Sequence, residues 1–278
     1  MRVCVLGRGK VGTSLTRALR RAKCPVVQLR GRPPWRSVPQ ADVYLLAVPD
    51  AALALTAEAL ATLELPAGAC ALHCAGARAH EELAALRGKG LAIGTMHPLV
   101  SFADRARPPT LGGTTFVTTG DARAKRSAQR LARILGARTL EAARLGPSYH
   151  AAAALVANGG AALVGEGLRI LLALGFARPA AEQALAGLLR SVAENVGRVG
   201  IPGALTGPVV RGDASTVGAH LRALRALGPA RARAYASLQP LVIACAEEAG
   251  LSARDARRMR AVLAEYAKPS RRTPQRKT

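Results

Sequence analysis

Near its start the chain runs Val3-Cys-Val-Leu6 into Gly7-Arg-Gly9-Lys-Val-Gly12, and an apolar series at Val11, Leu15, Ala18, Leu19 and Ala22 follows. An apolar run, a glycine turn and a helical period, in that order, predict a strand, a tight turn and a helix. Few folds accept such a start. The three glycines differ in what they permit. Gly7 allows the turn, Gly9 lets a pyrophosphate approach the backbone, and Gly12 lets helix and strand pack closely. The free N–H groups and positive end of the helix then face an anion. Gly7, Arg8, Gly9, Lys10, Val11 and Gly12 are therefore the expected pyrophosphate site of a dinucleotide-binding α/β domain.

Short apolar runs then alternate with helical periods. Strands are expected over 25–29, 41–48, 69–74, 90–97, 113–119 and 137–140, and helices over 50–63, 79–87 and 121–135. That alternation predicts a doubly wound parallel sheet. The second strand ends in Arg30-Gly31-Arg32. An acid at this place would bind the ribose hydroxyls of NAD. Two arginines stand there instead, and Arg30 and Arg32 match a 2′-phosphate in charge and in forked donors, so NADP(H) is the expected cofactor. Ligands of an open parallel sheet lie beyond the carboxyl ends of its strands. Val48, Pro49 and His73 are expected there beside the cofactor, Ser101 beside the substrate, and His97 as a candidate catalytic residue. Asp50 is placed to cap the helix that follows it.

From residue 146 the strands cease. Ala/Leu-rich helices are expected over 147–174, 178–198, 214–227, 230–249 and 252–266, broken by glycine and proline. The organisation read from this is an NADP-binding domain over 1–145, a helical substrate and dimerisation domain over 146–267, and a basic, disordered tail over 268–278. Half of the residues are hydrophobic but only 3% are aromatic, so the core is built from Ala, Leu and Val. The net charge is +23. Its arginines are scattered without interleaved aromatics, which suits solvated helix faces better than a nucleic-acid footprint. Five cysteines with no Cys-x-x-Cys fit the reduced thiols of a cytoplasmic protein. No signal peptide is expected. The uncharged run between Arg144 and Glu166 is long enough to span a bilayer, but it holds His150, Asn158, Gly146, Pro147, Gly159, Gly160 and Gly165. It reads as a buried core helix and not as a membrane span. His73 and Cys74 point to opposite faces of a strand, and no metal site is expected.

Reduction of a carbonyl or imine needs a hydride from a nicotinamide, a proton donor and a group that polarises the acceptor. Tyr149-His150 opens the first long helix and Asn158 lies some two turns on, an arrangement expected to put His150 and Asn158 on one face. His150 is a candidate proton donor and Asn158 a candidate substrate contact; a packed, hydrogen-bonded pair at the domain junction is an equal alternative. In the Gly/Pro loop that follows, Arg211 is suited to clamp a substrate carboxylate with Thr206 beside it, and Asp213 is a natural helix N-cap.

Taken together, Gly7–Gly12, Ala47-Val-Pro-Asp50, His73-Cys-Ala-Gly76, His97-Pro-Leu-Val-Ser-Phe102, Tyr149-His-Ala-Ala-Ala153 with Asn158, and Leu205-Thr-Gly-Pro-Val-Val-Arg-Gly-Asp213 with His220 resemble bacterial Rossmann-like proteins. These carry a C-terminal domain of the domain-of-unknown-function 2520 family. The chain is more distantly similar to ketopantoate reductases, pyrroline-carboxylate reductases and coenzyme-F420-dependent NADP oxidoreductases. It departs from the ketopantoate reductases in carrying His150 where their catalytic lysine would be expected. The resemblance implies an NADP-dependent oxidoreductase that forms a homodimer through its helical domain. The expectation is an enzyme reducing a small carbonyl or imine, carboxylate-bearing, in the cleft between the domains. The alternatives are a catalytically silent NADP-binding sensor and a basic protein that binds nucleic acid or a membrane surface.

Overall fold

Residues 1–29 and 32–267 are described by a computed structural model. Arg30 and the basic tail over 268–278 lie outside the described residues. Contacts divide the chain into a unit Met1–Ala157 and a second that begins at Asn158.

The first unit opens with β1 (Val3–Leu6), α1 (Lys10–Arg21) and β2 (Val26–Leu29), then β3 (Val43–Leu46), a 3₁₀ turn at Asp50–Ala52 and α2 (Leu53–Ala61). It continues through β4 (Cys70–His73), a 3₁₀ segment His80–Lys89, β5 (Ala92–Pro98), β6 (Thr115–Gly120), α3 (Ala122–Ile134) and β7 (Arg138–Glu141). The seven strands make one sheet in the order β2-β1-β3-β4-β5-β6-β7. Alternation along the strands sorts its side chains into two layers. Val3, Val5, Val43, Leu45 and Leu72 pack with Leu15 and Leu19 of α1 and with Ala128 and Leu131 of α3. Cys4, Leu6, Tyr44, Leu46 and Ala71 pack on the other side with Leu53 and Leu60 of α2 and with Leu83 and Leu86.

The expected doubly wound sheet followed by helices is present, parallel except that β5 and β6 pair antiparallel, with His97 opposite Val117. No helix forms over 99–114, so the chain has no crossover and turns back beyond the end of β5. The helix expected over 79–87 is a 3₁₀ segment. Its buried pair, Leu83 and Leu86, is spaced by three residues, the interval that a 3₁₀ turn stacks on one face.

The helical part comprises α4 (Pro147–Ala173), α5 (Arg178–Val199), α6 (Ala214–Leu227), α7 (Pro229–Glu248) and α8 (Ala253–Ala267). The division between the units falls inside α4, beyond the boundary expected at residue 145. Within the second unit, Val217 and Leu221 of α6, Ile243 and Ala246 of α7, and Met259 and Leu263 of α8 form a core. The reading of α4 as a buried core helix is also corrected: none of its residues is buried, although its length and apolarity would suit a membrane span. In α5 only Ala181 is buried. The described residues supply no cover for the apolar faces of these two helices.

Candidate functional site

Sheet register aligns one rim. Leu6 pairs with Leu46, Leu46 with His73, and His73 with Thr95, all in parallel. The residues that follow each of them therefore emerge at the same edge, the carboxyl end of the parallel strands.

The glycine turn sits on this rim, and each glycine there differs in its surroundings. Gly7 has φ +117°, and a methyl on it would lie 2.1 Å from the carbonyl oxygen of Ala47. At Gly12 a methyl would lie 2.3 Å from the carbonyl oxygen of Gly7. At Gly9, the N-cap of α1, a methyl would meet nothing within 4 Å. Gly7 and Gly12 are thus fixed by turn and packing, while Gly9 opens onto free space at the head of a helix without acidic residues in its first turn. A cavity of about 780 Å³ lies over it, lined by Gly7, Arg8, Gly9, Arg32, Val48 and Pro49 among others. Lys10 follows as the first, exposed residue of α1, and Val11 is half-buried beside it.

Sequence reasoning missed Trp35, which also lines this cavity. Its indole N–H is buried and has no partner among the described residues. A buried donor left without an acceptor is costly, so it fits a ligand that supplies one. The available signal was that this is the chain's single tryptophan, placed just after the arginines and Pro33-Pro34. Glycine turn, open helix head, arginines and an unmatched donor suit a phosphorylated dinucleotide.

Two rim residues serve the loops and not the cavity. His73 is fully buried. Its Nδ1 accepts from the Ala75 N–H at 3.2 Å, leaving Nε2 to donate to the Ala79 carbonyl at 3.0 Å. Burial holds its pKa below the ordinary histidine value. Expected beside the cofactor, it instead pins the turn that carries Gly76. Asp50 does not cap the following helix by its side chain; its carboxylate lies 3.9 Å from Arg78.

Beyond β4 and β5 a second cluster forms. Pro147 starts α4, where its missing N–H costs nothing, and so puts Tyr149 and His150 in the first turn. The Tyr149 hydroxyl lies 2.7 Å from His97 Nδ1. The two rings stand edge to face, 5.4 Å apart at 84°, and the His150 ring is 6.2 Å from that of His97. Gly76 fits between them: a methyl there would sit 2.7 Å from His97 Nε2 and 3.0 Å from His150 Nδ1. Burial, reinforced by His150, pushes the His97 pKa down to about 4, with Asp50 acting the other way. Burial pushes Tyr149 up to about 12. Imidazole and phenol are therefore both neutral near pH 7. Tyr149 escaped sequence reasoning because nothing in its spacing distinguishes it from a packing aromatic.

His150 is exposed. So is Asn158, and eight residues advance an α-helix by about 80° past two full turns. Ser101 is exposed in the loop after β5. In the second unit, Thr206 and Arg211 are exposed in the loop before α6. Asp213 caps α6, accepting from the Thr216 N–H at 3.0 Å and from the Ser215 and Thr216 hydroxyls. These bonds hold its carboxyl well below the usual carboxylate range. His220 Nδ1 lies 3.0 Å from the Tyr235 hydroxyl and joins α6 to α7.

Residues 114–240 match the model of a family described as a domain of unknown function, DUF2520. That match spans 127 of the 278 residues. It holds Tyr149, His150, Asn158, Thr206 and Arg211, whereas the glycine turn and His97 precede it. No curated protein matches the chain. Among solved structures, the chain is similar to protein TM1727 from Thermotoga maritima, 22% identical with a TM-score of 0.64, covering 88% of this chain and 98% of that one. It is similar to BF3122 from Bacteroides fragilis, a candidate NADP oxidoreductase, at 20% identity and a TM-score of 0.67, with 87% and 97% covered. An imine reductase from Pseudomonas sp. is 18% identical with a TM-score of 0.60, with 94% and 98% covered. At these identities the likeness is one of fold: a mostly parallel, Rossmann-like sheet followed by helices.

Proposed function

We propose that the protein is an NADP(H)-dependent oxidoreductase that reduces a small carbonyl or imine compound bearing a carboxylate. The observation that carries this reading is the open Gly9 at the head of α1, beneath a cavity lined by Arg8 and Arg32. No acid is among the described residues that line it, which favours a 2′-phosphate over a bare ribose. Likeness to a candidate NADP oxidoreductase and to an imine reductase supports the same class.

When bound, the reduced nicotinamide supplies a hydride to the substrate carbon. The exposed imidazole of His150 delivers a proton to the acceptor oxygen or nitrogen and regains it from solvent. His97, neutral beside it, stays uncharged through the cycle. Asn158 holds the substrate, and Ser101, Thr206 and Arg211 are the proposed contacts for its carboxylate.

The active form is a cytoplasmic homodimer. Leu188, Val192, Val196 and Val199 make a stripe along α5, each at least 40% exposed, and Leu155 and Val156 of α4 are 68% and 77% exposed. Exposed apolar surface of this kind marks an interface, and a second copy of the chain would cover it.

The test is titration with NADPH and NADH, followed by a panel of 2-oxo acids and cyclic imines. NADPH is expected to bind more tightly, Arg32→Ala to erase part of that preference, and at least one panel member to oxidise NADPH. Tight NADPH binding with no oxidation across the panel would favour a silent nucleotide sensor.

A further inference from the structure

We infer that Tyr149 is a positioning residue: its phenol O–H donates to His97 Nδ1 and so keeps the imidazole proton on Nε2, where it polarises the substrate's acceptor atom. The inference rests on the reductase reading for its chemical purpose, but not for its geometry.

A neutral imidazole offers one N–H, and which nitrogen carries it is decided by the partner of the other. Here the partner of Nδ1 is the Tyr149 hydroxyl at 2.7 Å. The phenol is the stronger acid of the two groups, so it is the donor. Nε2 has no hydrogen bond among the described residues, and it points toward Gly76, where any side chain would strike it. The glycine keeps the face of that nitrogen uncovered. His150 Nδ1 approaches the same point, 3.0 Å from where a methyl on Gly76 would lie. One spot beside Gly76 is thus served by two imidazoles. That on His97 is clamped from behind; that on His150 is exposed and open to exchange with solvent.

Burial supports this division. A His97 that stays neutral cannot store the proton the reaction consumes, but it can donate a fixed hydrogen bond to a developing negative charge. The helix that bears Tyr149 begins at Pro147, so its positive end also opposes an imidazolium beside it. The phenol touches neither substrate nor cofactor; it acts through the ring it orients.

The experiment is nitrogen-15 NMR of the histidine side chains in the full chain without cofactor, with His97 assigned by comparison with His97→Gln. The wild type is expected to show the Nε2–H tautomer at His97, and Tyr149→Phe, which keeps the ring and its packing, to lose that preference. An Nδ1–H tautomer in the wild type, or an unchanged Nε2–H tautomer in Tyr149→Phe, overturns the inference. Once a reducible substrate is found, Tyr149→Phe should lower kcat by about 10- to 100-fold with KM and NADPH affinity little changed. If no substrate is ever turned over, the reductase reading fails while the tautomer measurement still decides the role of Tyr149.

Discussion

At the scale of single residues, the three glycines of the first turn separate packing from binding. A methyl on Gly12 collides with backbone, whereas one on Gly9 meets empty space. Gly12→Ala should therefore lower the thermal midpoint, reflecting a strain of about 1–3 kcal/mol. Gly9→Ala should melt like the wild type yet bind NADPH more weakly; an equal loss of midpoint in both variants would show Gly9 to be a packing residue as well. His97 gives a prediction in pH. Its pKa falls from the ordinary 6.5 to about 4, and that of His73 moves the same way. Between those values the unfolded chain takes up protons that the folded one refuses, so stability is lost as pH falls through that window. Above about 6.5 both states are neutral there and the effect vanishes. Melting curves from pH 7 to 4 should show the decline, and His97→Gln should make it shallower. Of these residues the glycines were legible in the sequence, because their spacing alone encodes turn, approach and packing. His73 was not: a histidine closing a strand looks the same whether its ring serves a ligand or its own loop.

At the scale of elements, helix limits were readable wherever Gly or Pro punctuates the chain, as at Gly146-Pro147, Gly175, Gly228-Pro229 and Gly250. Strand positions were readable from apolar runs, but strand direction was not. A run such as Thr115–Gly120 has the same composition in either sense, and only the lack of a helix over 99–114 reverses it. The cap of α6 shows a local rule obeyed in full, with Asp213 taking a backbone N–H and two hydroxyls. Asp213→Ala should lower the stability of the helical unit, seen as faster amide exchange in α6, and Asp213→Asn should restore part of it. Unchanged exchange in the alanine variant would mean that the cap is dispensable.

At the scale of the molecule, the apolar side chains of α4 and α5 are exposed among the described residues, and the proposed homodimer would cover them. Light scattering should report a mass near twice 28.8 kDa, and the pair Leu188→Glu with Val192→Glu should yield monomer or aggregate. A soluble wild-type monomer, or a wild type that sediments with lipid vesicles, would count against the homodimer. A stable protein interface buries about 1,200–2,000 Å² in total, which two long helices from each copy can supply. The sequence reading placed α4 in a core because apolar alanine-rich helices read alike in a core and at a surface.

The division between the units inside α4 bears on how such a chain can be recombined. A natural exchange of helical halves at the end of the last strand would carry Tyr149 and His150 away with the outgoing helix, while His97 and Gly76 stayed with the sheet. On the proposed reading, grafting a foreign helical half would replace the phenol clamp and the proton donor together and leave nucleotide choice untouched. Lineages built by such shuffling would then diversify in substrate and keep their cofactor.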